Sequence, residues 1–139
     1  MTLIVDASVA FKWVVTEPDS DLAAKLLNTD VLVAPAILLA EVRNALVTSV
    51  RRGHMSDEDA RRSERLLSDI EVSYLPLPPL ATRAFELALE LRHPVYDCFY
   101  LAAGLDHRAV VVTADERFAR ATRGTSHDAQ VVLLHDFLS

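Results

Sequence analysis

With 139 residues, 51% of them hydrophobic and 24% charged, the chain has the size and balance of one globular domain, residues 1–139, able to bury roughly two-thirds of the surface it exposes when unfolded. Three glycines and one cysteine exclude a loop-rich chain and an internal disulfide framework, and the lone Cys98 fits a reducing cytoplasm. A net charge of −6 is unfavourable for binding nucleic acid through bulk charge, although arginines cluster at Arg51-Arg52, Arg61-Arg62, Arg65 and from Arg117 to Arg123, as solvated faces or as phosphate contacts.

Strand-like and helix-like segments alternate, the pattern of an α/β fold with a mainly parallel sheet. Thr2 to Asp6 is predicted as the first strand, and helix follows from Ala7 to Val15. Glu17-Pro18-Asp19 ends it, and Ser20 to Asn28 forms another helix. Val31-Leu32-Val33 is a second short strand ending at Ala34-Pro35, and a long helix runs from Ala36 to Arg52, stopped by Gly53. Ser56-Asp57-Glu58-Asp59 resembles a capping box opening the next helix, with Ala60, Ser63, Leu67 and Ile70 on its inner face. Val72 to Leu77 reads as a third strand, and its prolines suit a sheet edge. Leu80 to Leu91 is an amphipathic helix ending near His93-Pro94. Asp97 to His107 is the next helix, Ala109 to Thr113 a fourth strand, Glu116 to Thr122 a short helix, and Gln130 to Leu134 a last strand closing the chain. No apolar run approaches the roughly 20 residues that cross a bilayer, and Asp6 interrupts the first one too early for a signal peptide.

Asp6, Glu41, Asp97 and Asp115 stand out because each lies against apolar sequence, where an unpaired carboxylate is costly to bury. Buried charges are normally paired or coordinate a metal, and hard cations such as Mg²⁺ and Mn²⁺ bind through carboxylate oxygens and water. Asp6 and Asp115 fall at the carboxyl ends of the first and fourth strands, where open parallel sheets place their ligand sites. Asp97 begins the helix that leads into the fourth strand, so it is expected near the same edge. Glu41 shares a helix face with Ile37, Leu38, Asn44 and Ala45, a mostly apolar stripe. Taken singly, each of the three aspartates reads better as a helix N-cap, and Glu41 as a partner of Arg43 or of a distant arginine. Capping explains neither Glu41 nor two acids at the ends of different strands.

Other chemistry finds less support. The histidines show no HxH or HExxH spacing, which argues against zinc, and no glycine-rich phosphate loop is present. Ser8 lacks a nucleophile-elbow context, and Trp13 and Cys98 read as packing residues.

Val5-Asp6-Ala7-Ser8-Val9 with Lys12-Trp13 and Glu17-Pro18, Glu41-Val42 with Asn44-Ala45-Leu46, Tyr96-Asp97-Cys98-Phe99-Tyr100-Leu101-Ala102, and Thr113-Ala114-Asp115-Glu116-Arg117-Phe118 together resemble a PIN-domain ribonuclease, specifically the VapC-type toxin of bacterial toxin–antitoxin pairs. The resemblance covers nearly the whole chain. It implies a three-layer α/β/α sandwich around a parallel sheet of order 3-2-1-4-5, endonucleolytic cleavage of RNA dependent on Mg²⁺ or Mn²⁺, and inhibition by a VapB-type antitoxin. Asp6, Glu41, Asp97 and Asp115 carry over as the acidic site, with Asp6 and Asp97 as metal ligands and Ser8 and Thr113 as supporting hydroxyls. The helix from Ala36 to Arg52 spreads apolar residues wider than one packing stripe, so its second face is expected to meet a second subunit in a homodimer.

Two rival classes remain. A phosphoaspartyl protein would also place Asp6 after the first strand, but the only lysines, Lys12 and Lys25, come too early for that chemistry. A noncatalytic α/β interaction module, its acids serving as helix caps, is the stronger rival.

Overall fold

The computed structural model describes residues 1–138. Its centre is β1, Thr2–Val5, whose Leu3, Ile4 and Val5 are fully buried. Such a strand needs helices over both faces, and its continuous apolar run without polar alternation is the sequence form of that requirement. β1 pairs in parallel with β2, Val31–Pro35, on one side and with β4, Val111–Thr113, on the other. Outside these lie β3, Ser73–Leu75, and β5, Val131–Leu133, giving the all-parallel order β3-β2-β1-β4-β5.

Parallel strands need crossovers, and right-handed ones place leftward and rightward connections on opposite faces. The chain first moves outward through α1 (Ala7–Val14), α2 (Ser20–Thr29), α3 (Ile37–Arg51) and α4 (Asp57–Asp69), and α1 packs against the other three. It returns through α5 (Pro78–Leu91) and α6 (Val95–His107), which pack together, with α6 lying across β1, β2 and β4. α7, Glu116–Thr122, joins β4 to β5. The result is the three-layer sandwich and strand order that the resemblance implies.

The local signals mostly act as expected. Ser56 Oγ accepts the Asp59 amide at 3.0 Å and so caps α4. Gly53 takes φ +78° just past α3, a backbone that suits glycine. β3 is an edge strand, as its prolines suggest, but it is shorter than Val72 to Leu77. β4 begins after Ala109, because the Ala109 amide is held by Gly104 O at 2.9 Å and serves the end of α6 instead of the sheet.

Two boundaries differ in ways that matter. α6 starts at Val95, not Asp97, with Pro94 at its N-cap. Pro has no amide to leave unsatisfied there, and Asp97 therefore sits inside the first turn and caps nothing. The last strand does not close the chain: a short 3-10 turn, Asp128–Gln130, precedes β5 and a helix, α8 (Leu134–Phe137), follows it. One-turn helices carry too few residues to leave a periodic signature.

Candidate active site

Asp6 is the best-defined group at the carboxyl edge of the sheet. It is 3% exposed and leaves β1 just as α1 begins. Its Oδ1 accepts the Val9 amide at 3.2 Å, which caps α1, and the Ser8 hydroxyl at 2.6 Å. Its Oδ2 accepts the Thr113 hydroxyl. Ser8 Oγ in turn accepts the Ala114 amide at 2.8 Å, and Thr113 Oγ1 accepts the Asp115 amide at 3.0 Å. Two hydroxyls thus tie the end of β1 to the end of β4, neighbours in the sheet, and leave each polar group with a partner. Burial pushes the Asp6 carboxyl from 3.8 up to about 7, against the lowering effect of the Ser8, Thr113 and Val9 bonds, and the Asp97 charge adds to the rise.

Asp97 approaches from α6. Its Oδ2 is 2.6 Å from His93 Nε2, and the His93 ring stacks on Phe118 of α7 with centroids 5.8 Å apart. Burial raises the Asp97 carboxyl above the usual range; His93 opposes this by bond and charge, Asp115 raises it further and Arg117 lowers it. Glu41, half-buried on α3, accepts the Tyr100 hydroxyl at 2.5 Å. Its carboxyl is raised by burial first, lowered by Tyr100 and raised by Asp97. Asp115 caps α7, its Oδ1 accepting the Arg117 amide at 2.9 Å.

The four acids therefore come from four segments to one edge, and Asp97 is the hub: its charge reaches Asp6, Glu41 and Asp115. Mutual repulsion and burial both favour a bound cation, and an all-oxygen donor set suits Mg²⁺ or Mn²⁺. Among the described residues no three His, Cys, Asp or Glu side chains converge tightly enough to hold an ion alone.

Beside the acids a cleft of about 390 Å³ is lined by Ser8, Phe11, Lys12, Glu17, Glu41 and Ala45 among others. Lys12 Nζ bonds Glu17 Oε1 at 3.1 Å and Pro18 O at 2.6 Å, which fixes the loop after α1 on the cleft wall. Sequence reasoning missed His93 and Tyr100 as partners of the acids. Tyr100 stands three residues after Asp97 on α6, a helical spacing that could have found it, whereas His93 precedes the helix and carries no such signal. The suggested Glu41–Arg43 pair does not form: Arg43 bonds Glu64 at 2.7 Å.

The chain is 28% identical to Ribonuclease VapC12 of Mycobacterium tuberculosis over 95% of its length and 98% of that protein. Among solved structures it resembles PAE2754 from Pyrobaculum aerophilum, with TM-score 0.69, 23% identity and coverage of 99% of this chain and 87% of that one. It also resembles VapBC2 from Rickettsia felis bound to a DNA fragment from their promoter, with TM-score 0.67, 15% identity and coverage of 96% and 98%. Residues 3–124 match the PIN domain family, and the chain belongs to it.

Proposed function

We propose that the chain is a divalent-metal-dependent endoribonuclease and the toxin of a toxin–antitoxin pair. The observation that carries the reading is the coupling of Asp6, Glu41 and Asp115 to Asp97 at the carboxyl edge of a PIN-type sheet. Membership of the PIN family and the likeness to Ribonuclease VapC12 support phosphodiester hydrolysis of RNA as the reaction. The likeness in fold to VapBC2 from Rickettsia felis supports a VapB-type protein as the inhibitor.

Asp6 and Asp97 would hold the cation, with Glu41 and Asp115 completing the shell directly or through water. When bound, Mg²⁺ or Mn²⁺ would make a water more acidic and offset negative charge gathering on the phosphate. Ser8 and Thr113 keep the Asp6 carboxylate in one orientation, and each also anchors a backbone amide, so neither hydroxyl is free to act as nucleophile. Tyr100 does the same for Glu41, and His93 for Asp97. The capping-only alternative accounts for Asp6 and Asp115, which do cap helices, but not for Asp97 or Glu41.

The proposal includes a cytoplasmic setting and a homodimer. Among the described residues no helix is long and apolar enough to cross a membrane. On α3, Leu38, Val42 and Leu46 face the core while Val47 stays 54% exposed, which leaves apolar surface for a second subunit.

The test is direct. Purified protein is incubated with structured RNAs and Mg²⁺ and the cut ends are mapped, with Asp6→Asn as the control. Discrete cuts by the wild type alone, together with growth arrest on expression that the neighbouring small open reading frame relieves, are the expected results. Absence of any cut and of any arrest would overturn the proposal.

A further inference from the structure

The acidic site explains how a phosphate is attacked but not how a chain of net charge −6 keeps a polyanion near it. The ion pairs divide the arginines into two groups. Arg43, Arg61, Arg62, Arg65 and Arg83 each have a carboxylate partner, so the 61–65 cluster of the sequence is a self-neutralised helix face. Among the described residues, Arg51, Arg52, Arg92, Arg108, Arg117, Arg120 and Arg123 are exposed and have no carboxylate within ion-pair distance, and of these Arg92, Arg117 and Arg120 come together.

These three line one cleft. It measures about 350 Å³ and is walled by Leu91, Arg92, His93, Arg117, Arg120 and Ala121. Arg117 and Arg120 stand three apart on α7, hence on one helix face, and Arg92 comes from the end of α5. The cleft adjoins the acids through His93, which lines it and bonds Asp97 at 2.6 Å, and through Arg117, which follows the capping Asp115 by two residues. Guanidinium groups match phosphate oxygens bidentately, and three without a close ion-pair partner around a groove make a site for a run of phosphates.

We propose that this cleft between the end of α5 and α7 holds the phosphates flanking the RNA cleavage point, through Arg92, Arg117 and Arg120. The proposal rests on the ribonuclease reading and extends it: the substrate lies across His93, with the cut phosphate at the acids and its neighbours on the arginines. Contacts of this kind position the strand without reading its sequence. Lost affinity then falls equally on RNAs of different sequence.

The experiment measures binding of a labelled RNA hairpin by anisotropy across a salt series, with Ca²⁺ replacing Mg²⁺. Three proteins are compared: wild type, the combined Arg92→Gln, Arg117→Gln, Arg120→Gln variant, and a control carrying Arg61→Gln, Arg62→Gln and Arg65→Gln, which removes the same charge elsewhere. The cleft variant should bind about tenfold or more weakly, with a salt slope flatter by about two. The control should stay close to wild type, and thermal melts should show all three folded. Equal affinity and slope in the cleft variant, or an equal loss in the control, would overturn the cleft assignment while leaving the ribonuclease reading intact. A wild type that neither binds nor cuts any RNA would overturn both.

Discussion

The Tyr100 hydroxyl donates to Oε1 of Glu41 at 2.5 Å, joining α6 to α3 through a side chain that is 1% exposed. Burial and the adjacent Glu41 charge hold the phenol well above its usual range, so Tyr100 remains a donor at every working pH. Asp97 lies three residues earlier on the same helix, so α6 supplies one carboxylate of the site and the donor that orients another.

Tyr100→Phe removes that donor with little change of volume. Burial and the Asp97 charge then act on Glu41 unopposed, and its carboxyl ionises only at higher pH. The acidic limb of the pH–rate profile should move upward, and stability should fall by about 1–3 kcal/mol, the usual cost of losing a hydrogen bond to a charged group. An unchanged acidic limb in cleavage assays would separate Glu41 from the reaction.

The metal-free protein should lose stability as pH rises from about 4 to about 7. The unfolded Asp6 gives up its proton near 3.8, whereas the folded one holds it to about 7. In that window the folded state binds the extra proton, so each unit of rising pH removes up to about 1.4 kcal/mol, and above it the loss is complete. Glu41 and Asp97 are shifted the same way and add to the slope. Melts in EDTA should therefore fall in temperature across this range, less steeply for Asp6→Asn. Mg²⁺ or Mn²⁺ should restore the loss at the upper end by binding only the folded state, by about 2.7 kcal/mol at a hundredfold excess over Kd. Melts that are independent of both pH and cation would count against the acids as a metal site.

Much of this arrangement was legible because it rests on short-range chemistry. Asp6 and Asp115 end apolar strand runs and cap the helices that follow, and both facts are local to a few residues. Glu41 was legible from the apolar stripe around it. What each acid touches was not, since Ser8–Thr113 and Glu41–Tyr100 are contacts across 105 and 59 positions that only the folded sheet and its helices bring about. The role of Asp97 as a cap was misread because Pro94 moves the helix start back two residues. The arginine runs were ambiguous for a different reason: only the positions of Glu58 and Asp59 tell a neutralised run from an open one.

Asp97→Asn should stop cleavage while the fold persists. The amide keeps the size of the side chain and an oxygen for His93, and Asp97 caps no helix whose loss would unfold α6. It removes the charge through which the other acids are coupled, and the rate at limiting Mg²⁺ should drop on the order of 100-fold, as ligand-shell changes commonly do. Circular dichroism and melting in EDTA should match or exceed wild type, since one buried repulsion is gone. A wild-type rate in this variant would take Asp97 out of the site.

Gly104→Ala tests whether α6 is seated as closely as the site requires. A Cβ at this position would lie 2.8 Å from both Ala109 O and Val111 Cγ2. The carbonyl is not free to yield, because Gln130 Nε2 donates to it at 2.5 Å and the Ala109 amide is held by Gly104 O. Alanine gains up to about 1 kcal/mol of helix propensity over glycine, whereas overpacking against fixed backbone costs about 1–3 kcal/mol, so the net change should be destabilising. Relief comes most easily by sliding α6 off β4, which would carry Asp97 and Tyr100 away from Asp6 and Glu41. The variant should therefore melt a few degrees lower and cleave RNA more slowly than its loss of folded population explains. A melting temperature at or above wild type would mean that the sheet yields to α6 without cost, and that the close approach at Gly104 does not set the position of Asp97.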